Sequence, residues 1–368
     1  MSIELNGTTG IDFNDGSNQS TAATPYARKN LLINGDMKIA QRGTSTSGIT
    51  GDNYYTVDRF AFQLNSSGTW TQSQDTDVPT GQGFVNSLKM QCTTSTASPN
   101  YFIVQQRIEA QNLQHLAYGT ASAKTVTASF WVKSNKTGTY INELYIQDDN
   151  RTISTAFTIS SANTWEKKVI TFAGDTVGVI DNDNGLGMYM SIWLATGSTF
   201  SSGTLQTSWG SLVQANRAVG QVNLADNTAN YINITGCQLE IGDSASDFEF
   251  VPYDMELQRC QRYLPALNGI YWTTIGYNIL TNIGVGFIKF PVTARVPATG
   301  ISYSSLSHFT VANNTNTSYT PTSISFDVSN REGASILFST STGLTQGNPS
   351  RMYASNSSVQ LLFNGCEL

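Results

Sequence analysis

Residues 236–264 read GCQLEIGDSASDFEFVPYDMELQRCQRYL, and this stretch is the most informative part of the sequence for predicting the fold. Its first part ends a strand candidate, Ile232–Ile241. Its last part, Asp254–Leu264, places apolar residues near helical spacing behind an aspartate that can cap the N-terminus. Pro265 disfavours helical geometry at the residue before it, so the helix is predicted to end at Leu264. The stretch therefore closes one β-domain and opens another through a short polar helix.

The composition favours turn-rich β-structure. The 368 residues suggest two or more domains. Only 12% of them are charged, about half of the roughly 25% that is typical, and Ser, Thr, Asn and Gly supply the polarity. With 39% hydrophobic residues the chain can build packed cores, which argues against disorder. The net charge of −6 and the lack of a basic stripe argue against a nucleic-acid partner.

The sequence shows no sign of export, membrane insertion or metal binding. No signal peptide follows Met1, and the longest apolar run, 188–195, is far shorter than the ~20 residues that span a bilayer. The cysteines are widely scattered without a CxxC pair, and His115 and His308 lie far from them. We therefore expect free thiols, most of them buried, and no cofactor. The four cysteines are Cys92, Cys237, Cys260 and Cys366.

Four segments are predicted along the chain. Residues 1–29 have turn residues but no core-sized apolar pattern, and form an extended arm that is disordered or ordered by a partner. Residues 30–253 read as a β-sandwich or jelly roll, 254–265 as the linking helix, and 266–368 as a second, smaller β-sandwich. The fold class is all-β.

Alternating residues carry the strand predictions of the large domain. One face of a strand takes Val126, Ala128, Phe130 and Val132, and one face of another takes Met188, Met190, Ile192 and Leu194. Turn chemistry separates them, as at 134–138 and 181–187. A weak apolar stripe predicts a helical interruption at Ile103–Ala117. Further strand candidates are Glu143–Gln147, Trp165–Phe172, Gly284–Val292, Ile324–Val328, Ser335–Phe338 and Val359–Phe363.

About two thirds of the chain, residues 30–264, resembles bacteriophage tail-fibre and tail-appendage proteins that carry a carbohydrate-binding-module-like jelly roll. The matching text is NLLINGDMKIAQRGTS from Asn30, the YTVDRF segment at Tyr55–Phe60, TASFWVKSN at Thr127–Asn135, Trp209, then ITGCQLEIG and ELQRCQRY. In this order and spacing the motifs are typical of phage tail proteins. The resemblance implies a virion adhesin whose arm, residues 1–29, attaches to other virion proteins.

One feature of the related jelly rolls does not carry over. Their first strand reads NLL-x-NG-x-F-E, in which the glutamate helps to hold a structural calcium. The matching positions here are Met37 and Lys38, and an ammonium group cannot ligate a cation. Because the first and last strands of such jelly rolls are neighbours, we expect an ion pair between Lys38 and Glu240 in place of the metal. The loop 181–185 lacks the glutamate of an EF-hand and reads as an Asx-rich turn.

Catalysis finds little support in the sequence. No G-x-S-x-G or HExxH motif occurs, and the Asp148–Asp149 pair reads as a turn rather than as one side of a cleft. Trp131, Trp165 and Trp193 read as packing residues. The chain is therefore predicted not to be an enzyme.

Aromatic residues are the candidate glycan contacts, because sugar C–H faces stack on aromatic rings. The predicted contacts lie mostly in the second domain and alternatively serve packing or a trimer interface; they are Tyr271, Trp272, Tyr277, Tyr303, His308 and, on the first domain, Trp209. The predicted function is non-enzymatic binding of host-surface polysaccharide by a homotrimeric fibre on the virion, assembled in the host cytoplasm. A purely structural decoration or adaptor protein is the alternative, and a glycan-degrading tailspike is a third.

Overall fold

The structure is a computed structural model that describes residues 4–6, 10–12, 18–19, 29–270 and 273–368. Three short antiparallel strands form a small sheet near the start of the chain, namely β1 Glu4–Asn6, β2 Gly10–Asp12 and β3 Asn18–Gln19. Lys29, the last residue of the predicted arm, is also described. The other residues of the arm, which was predicted over 1–29, lie outside the described residues. Within the described part, no helix has the length and hydropathy needed to cross a membrane.

The first domain is a sandwich of two antiparallel sheets. Its strands are β4 Ser45–Ile49, β5 Asn53–Tyr54, β6 Phe60–Asn65, β7 Thr69–Asp75, β8 Ser87–Thr94, β9 Tyr101–Glu109, β10 Val126–Ser134, β11 Gly138–Ile146, β12 Arg151–Ile159, β13 Glu166–Phe172, β14 Leu186–Thr196, β15 Gly210–Ser211 and β16 Tyr231–Ile241. One sheet has six strands in the order β13-β10-β16-β8-β7-β4. The other has seven in the order β15-β12-β11-β14-β9-β6-β5. The all-β prediction is confirmed.

The core lies between these sheets and follows the predicted alternation. The inward residues of β10, such as Phe130, and those of β14, such as Met188, are buried in one cluster. A period of two places every second side chain on the same face, so local sequence alone selects the core face of each strand. The four cysteines are free and buried, as predicted.

The helices differ from prediction in more than one place. The linking helix begins at Tyr253 and ends at Gln261 rather than at Leu264, and Pro252, which forms no side-chain capping bond, takes the N-cap position predicted for Asp254. Residues 103–117 are not one helical segment: β9 runs through Glu109, and a 3₁₀ helix, Ala110–Leu116, follows it. The apolar stripe is real, since Leu113 and Leu116 are buried, but Phe102, Val104 and Ile108 alternate into the core as strand residues. Among the described residues two α-helices occur, α1 Ser198–Ser201 and α2 Tyr253–Gln261. Shorter 3₁₀ turns cover Gln214–Asn216, Leu224–Asp226 and Leu306–His308.

The second domain is a smaller β-sandwich with its own core. Its strands are β17 Ala266–Asn268, β18 Thr273–Asn278, β19 Ile283–Lys289, β20 Gly300–Tyr303, β21 Phe309–Asn313, β22 Ser318–Tyr319, β23 Ser323–Ser329, β24 Gly333–Ser339, β25 Pro349–Ala354 and β26 Gln360–Asn364. A seven-stranded sheet, ordered β22-β21-β25-β18-β19-β24-β23, faces a three-stranded sheet, ordered β17-β26-β20. Phe309, Phe338 and Phe363 lie in the separate core between them.

The apolar side chains of helix α2 pack against other residues of the same chain. Cys260 is fully buried with Ile33, Ile39 and Tyr263, and Leu257 packs against the same cluster. Leu264 is buried in a further small cluster. The apolar residues Cys260 and Leu264 are therefore covered within one chain.

Candidate functional site

Among the predicted contacts that the structure describes in the second domain, Tyr277 and Tyr303 lie on different sheets. Tyr271 and Trp272 lie outside the described residues. Tyr277, on β18, is 57% exposed. Tyr303 is on β20 of the other sheet, where its ring packs edge-on against Phe309 with the ring centroids 6.0 Å apart. The prediction that these residues contact glycan stays a prediction.

His308 and Trp209 are engaged with their own surroundings. His308 ends the 3₁₀ turn after β20, and its Nδ1 lies 2.9 Å from Ser304 Oγ. The indole Nε1 of Trp209 donates to the Ala173 carbonyl oxygen at 2.6 Å, and its ring packs edge-on against Tyr118. Trp209 also packs against the main core, so much of its ring serves the fold.

The predicted ion pair between Lys38 and Glu240 does not form. Lys38 Nζ lies 2.9 Å from Asp36 Oδ2 and donates to the Val251 carbonyl oxygen. Glu240 accepts from Ser246 N and Oγ and from Gln238 Nε2.

Local backbone geometry explains the separation. Leu31 N donates to Leu239 O and Cys237 N donates to Gly35 O, so residues 31–35 run beside β16 as expected. The chain then turns between Asn34 and Met37, both of which have positive φ. Lys38 therefore lies beyond residues 31–35, which run beside β16. Glu240 is on β16.

The loop 181–185 forms a turn held by one aspartate of its own and by Asp148. Gly185 N donates to Asp183 Oδ1 at 2.8 Å, and Asp181 N donates to Asp148 Oδ2 at 3.0 Å. Asx side chains commonly close turns in this way.

A cluster that the sequence analysis did not select lies on the outer face of the seven-stranded sheet of the first domain. Tyr145 on β11 is the cross-strand partner of Tyr189 on β14, and Tyr189 is the partner of Arg107 on β9. The two rings are 5.4 Å apart at their centroids. All three side chains are half-buried, so each keeps an accessible surface. We call Tyr145, Tyr189, Arg107 and Arg217 the tyrosine platform.

Arg217 reaches the platform from a long connection. Residues 197–222 fold over one end of the sheet and bury Trp193 beneath Phe200. Arg217 Nε and Nη2 then donate to the two carboxylate oxygens of the fully buried Glu143, both at 2.8 Å. Burial lowers the pKa of Arg217, but Glu143 more than compensates and raises it above its ordinary value. Such a two-fold hydrogen bond holds the guanidinium rigidly.

Both arginines flank the tyrosine rings. The Arg217 guanidinium carbon lies 5.7 Å from the centroid of Tyr145, and that of Arg107 lies 5.8 Å from the centroid of Tyr189. The hydroxyl of Tyr145 bonds Asn150 Oδ1 at 2.8 Å. Burial raises the pKa of both tyrosines, which keeps their hydroxyls protonated at neutral pH.

The platform has the chemistry of a sugar-binding surface. Paired rings provide an apolar face for stacking, while guanidinium groups and exposed amides at its margin can bond hydroxyl groups. The Tyr189 hydroxyl reaches one such amide, Gln147 Oε1, at 3.1 Å. Sequence alternation could have indicated the rings, because Met188 and Met190 point to the core and Tyr189 between them must point outward.

No protein-family model matches the chain, and no curated protein matches it. Solved structures with a similar course include the enzymatically active domain of tailspike protein 4 of bacteriophage CBA120, at 13% identity and a TM-score of 0.32. That match covers 58% of this chain and 21% of the tailspike chain, so this chain spans about a fifth of that relative.

Two carbohydrate-binding modules are similar as well. The module TmCBM61, solved with β-1,4-galactotriose, matches at 11% identity and a TM-score of 0.28, covering 58% of this chain and 100% of its own. The family 11 module of the cellulase Lic26A-Cel5E of Clostridium thermocellum matches at 13% identity and a TM-score of 0.26, covering 57% of this chain and 94% of its own. At these identities and TM-scores, none of the three likenesses bears on what this chain binds.

Proposed function

We propose that the chain is a non-enzymatic adhesin of a phage tail fibre and that the tyrosine platform binds host-surface polysaccharide. The observation that carries the proposal is the row formed by Tyr145, Tyr189 and Arg107 across three paired strands. Stacked rings on rigid strands bind a sugar face at a low cost in side-chain entropy. The phage setting, with its virion location, rests on the sequence resemblance of residues 30–264.

The glycan part is tested with Tyr145→Ala and Tyr189→Ala. Each should weaken binding of host polysaccharide about tenfold or more in affinity electrophoresis, because the stacking surface is lost. Tyr231→Ala is the matched control: this tyrosine is also half-buried on a strand and has a cation, Lys89 Nζ, 5.4 Å from its ring centroid, but it lies on the other sheet.

With Tyr277→Ala added to that series, four outcomes are distinct. Loss of binding in both platform variants with an unchanged melting temperature supports the platform. Loss only in Tyr277→Ala moves glycan binding to the second domain, where it was first predicted. No polysaccharide binding by the parent protein leaves the alternative of a structural decoration or adaptor, and release of reducing sugar would mean that the protein is an enzyme.

The proposed fibre is a homotrimer, in which three weak sites gain avidity. An exposed apolar row supports an inter-chain contact: Ile275 and Phe287 are cross-strand partners on the second domain and are 73% and 56% exposed. Light scattering at the mass of one chain, 39.9 kDa, would refute the trimer. Deletion of residues 1–29 should leave a folded body that no longer joins virions, and continued assembly would refute the attachment role of the arm.

A further inference from the structure

A cleft of about 540 Å³ opens where the first domain, helix α2 and the second domain meet. Its lining includes Arg107 from β9, Arg259 from α2, Arg262 just after α2, and Arg331 from the loop between β23 and β24. Glu109 is the one carboxylate in the lining. We call this cavity the arginine cleft.

The concentration of positive charge in the arginine cleft contrasts with the rest of the protein. The chain has a net charge of −6, and its lysines and arginines number only 20. Four of these line one cavity. A cavity in which one sign of charge predominates focuses the electric field and raises the local concentration of counter-ions.

The internal bonds of the arginines leave donors for a ligand. Arg262 donates through Nε and Nη2 to Glu109, and Arg259 donates through Nη1 to Glu256 and through Nη2 to the Leu32 carbonyl oxygen. Arg107 donates through Nη1 to the Leu368 carbonyl oxygen. Arg331 donates through Nε to the Ala294 carbonyl oxygen at 2.9 Å. In the part of the chain that the structure describes, the two terminal nitrogens of Arg331 have no hydrogen-bond acceptor, and the side chain is exposed at the cleft.

We infer that the arginine cleft binds an oxyanion carried by a saccharide, either the carboxylate of a uronic acid or the phosphate of a glycerol phosphate substituent. Guanidinium groups suit this ligand because their planar N–H pairs match two oxygens of a carboxylate or phosphate. The exposed amide of Asn112 and the ring of His115 also line the cleft and can contact neighbouring hydroxyl groups. The inference rests on the proposed function in one respect, namely that the anion is part of a saccharide.

The position of the cleft adds a second consequence. Arg331 belongs to the second domain, whereas Arg107 belongs to the first and Arg259 to the helix between them. A ligand that binds these groups together binds only the assembled chain. It should therefore raise the melting temperature, and the rise should continue with the logarithm of ligand concentration.

The experiment titrates the full chain with trigalacturonate, with glycerol phosphate and with neutral galactotriose, using calorimetry and melting temperature. Trigalacturonate or glycerol phosphate should bind saturably, lose affinity in high salt and raise the melting temperature. Arg331→Gln should weaken that binding about tenfold. Arg331→Lys should weaken it less, because lysine keeps the positive charge but lacks the planar pair of N–H groups. Arg351→Gln is the control, since Arg351 is an exposed arginine on β25 of the same domain.

Each result has one interpretation. Binding of one anion and not the other supports the cleft and identifies the source of the oxyanion. Absence of binding by both anions overturns the inference, as does an affinity that Arg331→Gln leaves unchanged. Neutral polysaccharide binding that Tyr189→Ala abolishes, together with failure of both anions to bind, would refute the arginine cleft and leave the proposed function standing.

Discussion

At the scale of single residues, buried charges beside the interface hold the two domains together. Arg59 is almost fully buried, adopts a positive φ of 72°, and places its guanidinium 3.6 Å from the ring centroid of Tyr263. Its Nη1 donates to Glu367 at 2.5 Å. The neighbouring Asp58 accepts from the backbone and side-chain nitrogens of Gln41. A non-glycine residue with this φ stores strain, which the surrounding contacts must offset.

Asp58→Asn tests the cost of that buried carboxylate. Burial raises the pKa of Asp58 to about 6, although Arg42 and Gln41 oppose the rise. A raised carboxyl pKa means that the folded state binds the proton more tightly, so this group favours folding at low pH and loses that contribution as pH rises from about 4 to about 6.

Between about pH 4 and pH 6, the free energy of unfolding of the parent should therefore fall by about 1–3 kcal/mol relative to that of the variant. Above about pH 6 the two free energies should change with pH in parallel. Urea unfolding at several pH values measures the difference. Identical pH slopes for the two proteins would show that Asp58 ionises normally.

At the scale of elements, Glu109 joins the end of β9 to helix α2. Its fully buried carboxylate accepts from Arg262 Nε at 3.0 Å and Nη2 at 2.5 Å, and from the Tyr263 hydroxyl at 2.8 Å. Burial alone would raise the pKa of Glu109, but the hydrogen bonds from Arg262 and Tyr263 lower it below its ordinary value. The stabilisation is therefore present above about pH 4.5 and lost as pH falls through the lowered pKa.

Arg262→Met should destabilise the protein by about 3 kcal/mol at neutral pH, because it leaves a buried carboxylate without its cation. The double variant Glu109→Gln/Arg262→Met should recover part of that loss, since no buried charge remains. Denaturant midpoints of the two single variants and the double variant measure the coupling. A double variant whose loss equals the sum of the single losses would show that the two side chains do not act as a pair.

At the scale of the whole molecule, the last residues of the second domain return to the first. Arg295 donates to the carbonyl oxygens of Cys366 at 2.9 Å, Glu367 at 2.6 Å and Asn184 at 2.8 Å. Glu367 in turn pairs with Arg42 and Arg59 of the first domain. These contacts predict that two domains with separate cores unfold together.

Arg295→Met should separate the single calorimetric unfolding transition into two, since it leaves three carbonyl oxygens at the interface without their donor. Arg351→Met, which alters an exposed arginine of the same domain, should leave one transition. Two transitions in the parent protein would show that the domains are already independent.

Local sequence features predicted the all-β class and the core faces of strands such as β10 and β14, because a period of two and the turn residues are local properties. The same features misassign part of β9 to a helical segment. Phe130 and Met190 are buried as their alternation predicted. The same rule assigns Tyr145 and Tyr189 to outward faces, although it does not place them side by side.

Which residues far apart in the sequence contact each other depends on the tertiary structure. Tyr189 lies beside Tyr145 and Arg107 because three strands far apart in the chain pair in one register, and a register shift of one residue would reverse the faces. A turn of positive φ takes Lys38 away from Glu240, and the docking of two domains brings Arg331 to the cleft that also includes Arg259. Strand pairing, turn direction and domain docking depend on long-range packing, which local propensity does not specify.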